Sequence, residues 1–475
     1  MPRTPEQARP EWGRPLAEYF SQDLNSHYLP IINRLRSIHY VKTVTLPKLY
    51  GSLMTPPDIC SLLLDALSLI ERPKELLILD GTMLLSRCIA ILKQYTDDSE
   101  PQAVKLFSYE LGYLCVRAIS LLLHVGILAH TKTFGTFLAM VGNSSDPYEV
   151  SAALHGCVME LMHKSKDQPN PRDWLLGILT STSGGRMFLR TVGGFVNTDV
   201  DFLLNVIWQD RKTFLEICTS KLTPGWGLVV LLIGEHVQWA SESGVQSSVL
   251  EQWSLLQNLC FRYSLVAPVN ELKYLEDFCL KAGVYQPDSD DDEYDEYYET
   301  ALADTGDARV ILQAYLTRML PTHSLPSASL PPGLALQLIG FFRQGIFLDM
   351  TDLMPPLIKA SCAWIWDRLL EEPPHSPHPS QDNVLNRYVI ITFDIIRRLY
   401  SQYIGASTPI ITSFTKALAE SDFINLFGRV VLLSLSEGSG VPKLAAVSLH
   451  WLMKKIYWRV PNALSKWVTW TTRMV

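Results

Sequence analysis

A chain of 475 residues with 47% hydrophobic and 19% charged side chains has ordinary globular composition and exceeds what one compact core accommodates, so two or three domains or one extended stacked array are expected. The formal net charge is -7, and residues 288–299 alone carry eight acids and no base. Subtracting that -8 from -7 leaves +1 for everything else, a balance without the basic excess of a nucleic-acid binder, so nucleic acid is not expected as a partner.

The opening "MPRTPEQARPEWGRP" has charge and proline where a secretory signal needs an apolar core, so no export is expected. Eight cysteines stand singly in apolar segments with no C-x-x-C, the usage of reduced, buried thiols in an intracellular protein, cytoplasmic or nuclear. The most apolar run, "AISLLLHVGILA" at 118–129, falls short of the roughly 18 to 20 residues of a bilayer span. No transmembrane helix is expected.

Apolar residues recur at helical spacing along most of the chain. Helix pairs open at about Asp58, Pro101, Pro147, Thr198 and Gln246, at intervals of 43, 46, 51 and 48 residues, near the length of a two- or three-helix repeat. Proline at several of these starts suits a first helical turn. Thr198 stands three residues ahead of Asp201, a spacing that predicts reciprocal capping at a helix start. The glycines of "STSGGRMFLRTVGGF", 181–195, flank a stretch read as helical. In "SSVLEQWSLLQNLCFRYSL", Val249, Trp253, Leu256, Cys260 and Tyr263 form one apolar stripe, and Gln252 and Asn258 fall off it. The best strand pattern, "YVIITF" at 388–393, lies inside a helical stretch.

These patterns predict an all-α protein, an irregular α-solenoid of stacked helix pairs, with an irregular globular bundle as the alternative. In outline it resembles armadillo and HEAT solenoids, without their recurring motif residues. An amino-terminal block is expected over 1–286, an acidic and Pro/Ser-rich linker region over 287–333, and a carboxy-terminal block over 334–475 with a Pro-rich loop at 371–383.

The sharpest chemistry lies in "PDSDDDEYDEYYET", 287–300. Asp288, Asp290, Asp292 and Glu299 fall at positions 1, 3, 5 and 12 of a calcium loop, but Glu293 occupies the sharp turn that requires Gly. The same letters contain D-D-x-x-D at Asp291, Asp292 and Asp295, which resembles the magnesium motif of all-α class I terpene synthases, whose second metal motif has no counterpart here. A solvated acidic linker is the simpler account, with Tyr294 and Tyr297 available to a basic partner.

Glu160 and His163 have di-iron spacing without the second copy that such a centre needs, so His155 and His163 are read as surface or hydrogen-bonded core histidines. From Gly438 to Val475 there are six bases and no acid, and Trp451, Lys454, Lys455, Trp458 and Arg459 form a basic aromatic end suited to an acidic peptide or a lipid surface. Nucleotide and nucleophile signatures are missing.

The sequence therefore predicts a non-enzymatic intracellular scaffold or adaptor for a protein or peptide partner, without a cofactor. A metal-dependent α-helical enzyme using the acidic stretch and a peripheral membrane protein using the basic end are the alternatives.

Overall fold

The computed structural model describes residues 14–16, 55–80, 84–96, 109–164, 178–180, 186–188, 197–218, 225–242, 249–268, 271–272, 274–276, 305–320, 330–344, 350–371, 379–403 and 408–436. The protein is all-α, with one pair of three-residue strands among the described residues, and it divides into two compact units, Met1–Tyr285 and Gln286–Val475.

Unit 1 opens with α1 (Pro56–Ser68). Pro56 occupies the first turn, where a missing N–H costs nothing. Asp58 accepts from the Thr55 backbone N–H at 3.3 Å and from its hydroxyl at 2.6 Å. Pro73 then starts a tighter 3-10 turn, Pro73–Leu79, and α2 (Leu84–Tyr95) follows.

The longest helix of unit 1, α3 (Glu110–His130), is its hub: α1, α2, α4 (Phe134–Val141), α5 (Pro147–Lys164) and the later α8 (Gly227–Glu242) all pack on it. A helix covered on every side must be apolar all round, and nearly every residue of α3 is buried. Its first residue is tied down by Arg14, whose Nη2 and Nε meet the Glu110 carboxylate at 2.8 and 3.0 Å.

The apolar run at 118–129 is therefore only the carboxy-terminal part of a 21-residue helix. Among the described residues, α3 is the one helix long and apolar enough to cross a membrane, with a mean hydropathy of 1.9, and that whole window is buried.

Strands β1 (Ile178–Thr180) and β2 (Arg186–Phe188) pair antiparallel with Ile178 opposite Phe188. Arg186–Phe188 is thus strand where helix was expected. The Gly184-Gly185 pair between two short apolar runs is the sequence mark of a hairpin and outweighs the helical spacing.

Helices α6 (Asn197–Gln209), α7 (Arg211–Cys218), α8 and α9 (Val249–Val266) follow, and residues 271–272 and 274–276 are helical as well. Because α6 begins at Asn197, Thr198 is inside the helix and does not cap it. Asp201 is turned instead to α9, where Gln252 Nε2 donates to it at 2.7 Å, and Asp199 holds Lys93 of α2 at 2.6 Å. On α9 the stripe residues Leu256, Cys260 and Tyr263 are buried, and so are Gln252 and Asn258. The helix is covered by α6, α7 and α8 together, which leaves little of its circumference for polar residues.

Unit 2 contains α10 (Thr305–Met319), α11 (Pro332–Gln344), α12 (Met354–Glu371), α13 (Pro379–Tyr403), α14 (Thr408–Glu420) and α15 (Phe423–Ser436). α12 packs on α10, α13, α14 and α15, and α11 packs on α13. In the core the Tyr315 and Tyr388 hydroxyls meet at 2.9 Å, and the Trp364 ring lies 4.1 Å from that of Tyr388. "YVIITF" is part of α13.

Within 287–333 the structure places a packed helix, α10, ahead of the Pro/Ser-rich stretch, and α13 begins four residues before the end of the segment read as the 371–383 loop. Arg309 of α10 grips Asp352 through both nitrogens. That pair is exposed and adds little stability in water.

Candidate functional site

The residues singled out by sequence for metal or partner binding, Asp288, Asp290, Asp292, Glu299, Tyr294 and Tyr297 in the acidic stretch and Trp451, Lys454, Lys455, Trp458 and Arg459 at the basic end, lie outside the described residues. The polar constellation that the structure does describe is in the centre of unit 1.

It is a line of buried polar groups running across α3, α5, α8, α9 and the segment after α9, hydrogen-bonded except at the step from His155 to Glu271. His124 on α3 donates from Nδ1 to the Ser120 carbonyl one turn back, at 2.7 Å. A carbonyl only accepts, so the proton is on Nδ1, and the Nε2 of a neutral His124 is an acceptor. That nitrogen lies 2.9 Å from Nδ1 of His155 on α5, which must therefore be the donor. The remaining nitrogen, His155 Nε2, faces Glu271 Oε1 at 3.5 Å.

Glu271 closes the chain. Its Oε2 accepts from the Gly227 N–H at the start of α8, at 3.0 Å, and from the Tyr263 hydroxyl of α9. A carboxyl group at a helix N-terminus meets unpaired N–H groups and the positive end of the helix dipole.

Two glycines make that approach possible. A Cβ on Gly225 would lie 1.5 Å from Glu271 Oε1, and one on Gly227 would lie 2.6 Å from Oε2. Ser120 secures the same turn by donating from Oγ to the Gly225 carbonyl at 3.1 Å. "PGWG" ahead of an apolar helix thus serves as a cradle for a carboxyl group as well as a helix start.

Water is excluded throughout: His124, His155 and Glu271 are at most 1% exposed. Burial and the neighbouring His155 push His124 down to about 3, and burial pushes His155 down to about 3. Burial pushes Glu271 up to about 7, opposed by the Tyr263 hydroxyl and the Gly227 and Gly225 backbone. Removing a charged group from water disfavours its charged form. Both imidazoles are therefore neutral at pH 7, and His155 Nε2 faces the Glu271 carboxyl across 3.5 Å without a hydrogen bond.

Such a cluster can hold a proton on its carboxyl out of reach of water. Among the described residues no group of three His, Cys, Asp or Glu side chains is placed to hold a metal ion. A cleft between α6 and α9, lined by Leu204, Ile207, Trp208, Arg211, Leu255, Leu259 and Arg262, encloses about 10 Å³, room for no more than one water.

No protein-family model, curated protein or solved structure matches this chain.

The second notable feature is outward and apolar. On the short hairpin α4–α5, Gly135 and Ala139 lie one turn apart, as do Thr136 and Met140, and all four are exposed. On α5, Tyr148 and Ala152 are exposed one turn apart, with the half-buried Gly156 next in the row. Met140 and Tyr148 are each 57% exposed. The two rows join where the Cys157 thiol contacts Met140 Sδ at 3.0 Å. Asp146, Glu149 and Glu160 are exposed along the rim.

Sequence reading assigned His155 no partner and did not connect it to Glu271, 116 positions away. A lone histidine in an apolar helical run signals burial but does not name its partner, which only the fold can supply.

Proposed function

We propose that the protein is a non-enzymatic helical scaffold whose α4–α5 face holds an amphipathic helix of a protein partner. The observation that carries this is the exposed, uncharged face formed by Gly135, Thr136, Ala139 and Met140 on α4 and by Tyr148 and Ala152 on α5. Small residues along such a face let a helix backbone approach closely, with Met and Tyr as larger contacts at the edges. The acidic rim of Asp146, Glu149 and Glu160 favours a partner helix with basic flanks.

Stacked helix pairs, α1 and α2 against α3, α4 against α5 and α8 against α9, would make unit 1 an irregular repeat block that presents such faces along its edge. The buried cysteine thiols Cys60, Cys88, Cys115, Cys157, Cys260 and Cys362 suit a reducing, intracellular setting. Tyr294 and Tyr297 in the acidic stretch, and Trp451, Lys454, Lys455, Trp458 and Arg459 at the basic end, serve in this proposal as additional contact regions.

The test is purification of the full chain from its native cell as wild type, as Met140→Glu/Tyr148→Glu, and as Leu370→Glu, which alters an exposed leucine in unit 2. A bound partner should weaken by about 2 kcal/mol, roughly thirtyfold, in the double variant and persist in the Leu370 variant. Surface changes of this kind move stability by only about 0.5 kcal/mol, so all three proteins should melt alike. A partner that remains equally bound to the double variant contradicts the assignment.

A further inference from the structure

We infer that the His124–His155–Glu271 chain is an acid-opened clamp, which releases the segment around Glu271 from the start of α8 when the two buried imidazoles take up protons.

The basis is a count of hydrogen positions. In the closed chain His124 Nδ1–H is committed to the Ser120 carbonyl and His155 Nδ1–H to His124 Nε2. That leaves room for one further proton, on His155 Nε2 or on Glu271 Oε1, which face each other at 3.5 Å without a hydrogen bond. A proton on His124 Nε2 would point at the hydrogen already on His155 Nδ1, so the two rings cannot both become cationic while they touch. Once the segment swings away and water enters, nothing forbids it. In acid the open form holds a proton on each imidazole and, lower still, one on the carboxyl as well.

Among the described residues, the groups that face Glu271 are few. α3 contributes His124 through His155, α5 contributes His155, α9 contributes the Tyr263 hydroxyl, and the start of α8 and the turn ahead of it contribute the backbone N–H groups of Gly227 and Gly225. The nearby buried cations point elsewhere: Arg117 of α3 lies over the Tyr113 ring at 5.3 Å and Arg262 of α9 over the Trp208 ring at 5.8 Å. His236, further along α8, is itself held neutral by burial, down to about 4.

The direction with pH follows. Glu271 is raised to about 7 from 4.5, so on its own it favours the closed form in acid and loses that advantage as pH rises through 7. Each histidine is lowered to about 3 from 6.5, so each favours the closed form above 6.5 and loses it as pH falls. Between 6.5 and 4.5 two histidines oppose one carboxyl, and opening takes up one net proton. The clamp is tightest near pH 6.5 and loosens in acid.

The experiment is amide hydrogen exchange of the full chain between pH 6.5 and 4.5, corrected for the intrinsic rate and read at residues 271–276 and at Gly227. In the wild type the opening constant should rise about tenfold for each pH unit of acidification. Glu271→Gln keeps both histidines and should steepen the rise to about a hundredfold per unit. His124→Gln/His155→Gln leaves only the carboxyl and should reverse the sign, so that acid closes the segment. Either variant is decisive if the other does not fold. A wild-type opening constant that is flat across this range, or one slope shared by wild type and a folded variant, overturns the proposal.

Discussion

Replacing Gly225 by alanine is expected to destabilise unit 1 by about 3–5 kcal/mol, the sum of an overpacked contact and a displaced buried carboxyl. The added methyl group would stand 1.5 Å from Glu271 Oε1, and the neighbour that must give way is not the loose end of a surface side chain. Glu271 is fixed by the Gly227 N–H, by the Tyr263 hydroxyl and by the surrounding helices. Any movement that relieves the clash leaves those donors buried without an acceptor. Gly135→Ala is the control. Nothing lies within 4 Å of its would-be Cβ, and it sits exposed in α4, so the same substitution there should stabilise the helix by about 0.5–1 kcal/mol. Urea unfolding of both variants beside the wild type measures the contrast. Equal effects at the two glycines would mean that Glu271 does not occupy the cradle.

Glu271→Ala is expected to cost a similar amount, about 3–5 kcal/mol, by a different route. It creates a void at the junction of α5, α8 and α9 and strips the acceptor from two donors while leaving the Gly225 contact relaxed. Glu271→Gln keeps an amide oxygen facing Gly227 and Tyr263, so its cost at neutral pH should be only about 1 kcal/mol. Tyr263→Phe removes one donor and no acceptor, and belongs in the same small range. The ordering Ala far above Gln, with Gln near Tyr263→Phe, is the pattern of a hydrogen-bonded anchor. Three equal losses would mean that the carboxyl acts by volume alone. A double-mutant cycle between Glu271→Gln and Tyr263→Phe should show coupling, because the two groups share one bond.

The helices were legible in the sequence where one apolar stripe dominates. Leu256, Cys260 and Tyr263 on α9 are buried as their spacing requires, and Pro147 opens α5. The pattern misled where a residue serves a distant partner. Asp201 has the spacing of a cap to Thr198 but accepts from Gln252, since a carboxylate near a helix start can equally turn sideways to a neighbouring helix.

The apolar run of α3 starts only at Ala118 because Glu110 and Arg117 interrupt the hydropathy of the helix. Arg14 pairs with Glu110, and the Tyr113 ring lies beneath Arg117, so both stay inside without ending the helix. The hairpin β1–β2 was missed because three-residue strands offer no alternation long enough to count.

The buried chain was the hardest to foresee. Ser120, His124, His155, Tyr263 and Glu271 share no motif spacing, and their proximity is a consequence of α3 lying against both α5 and α8. The nearest thing to a signal is "PGWG" at 224–227, where two glycines flank a tryptophan ahead of an apolar helix and mark a place that tolerates no Cβ. By contrast, the exposed face of α4–α5 could have been inferred from "FGTFLAMV", 134–141, whose exposed positions Gly135, Thr136, Ala139 and Met140 hold no charge to solvate them. A solvent-facing helix surface ordinarily carries charge.

The most direct test of the scaffold assignment is a photo-reactive amino acid placed at Tyr148 and activated in the native cell. If the α4–α5 face holds a helix of another protein, illumination should give a covalent adduct with a single heterologous partner, the adduct should vanish when Met140 is changed to Glu, and the linked peptide should be amphipathic with basic ends. Illumination that yields no adduct, or links only to a second copy of this chain, contradicts the assignment.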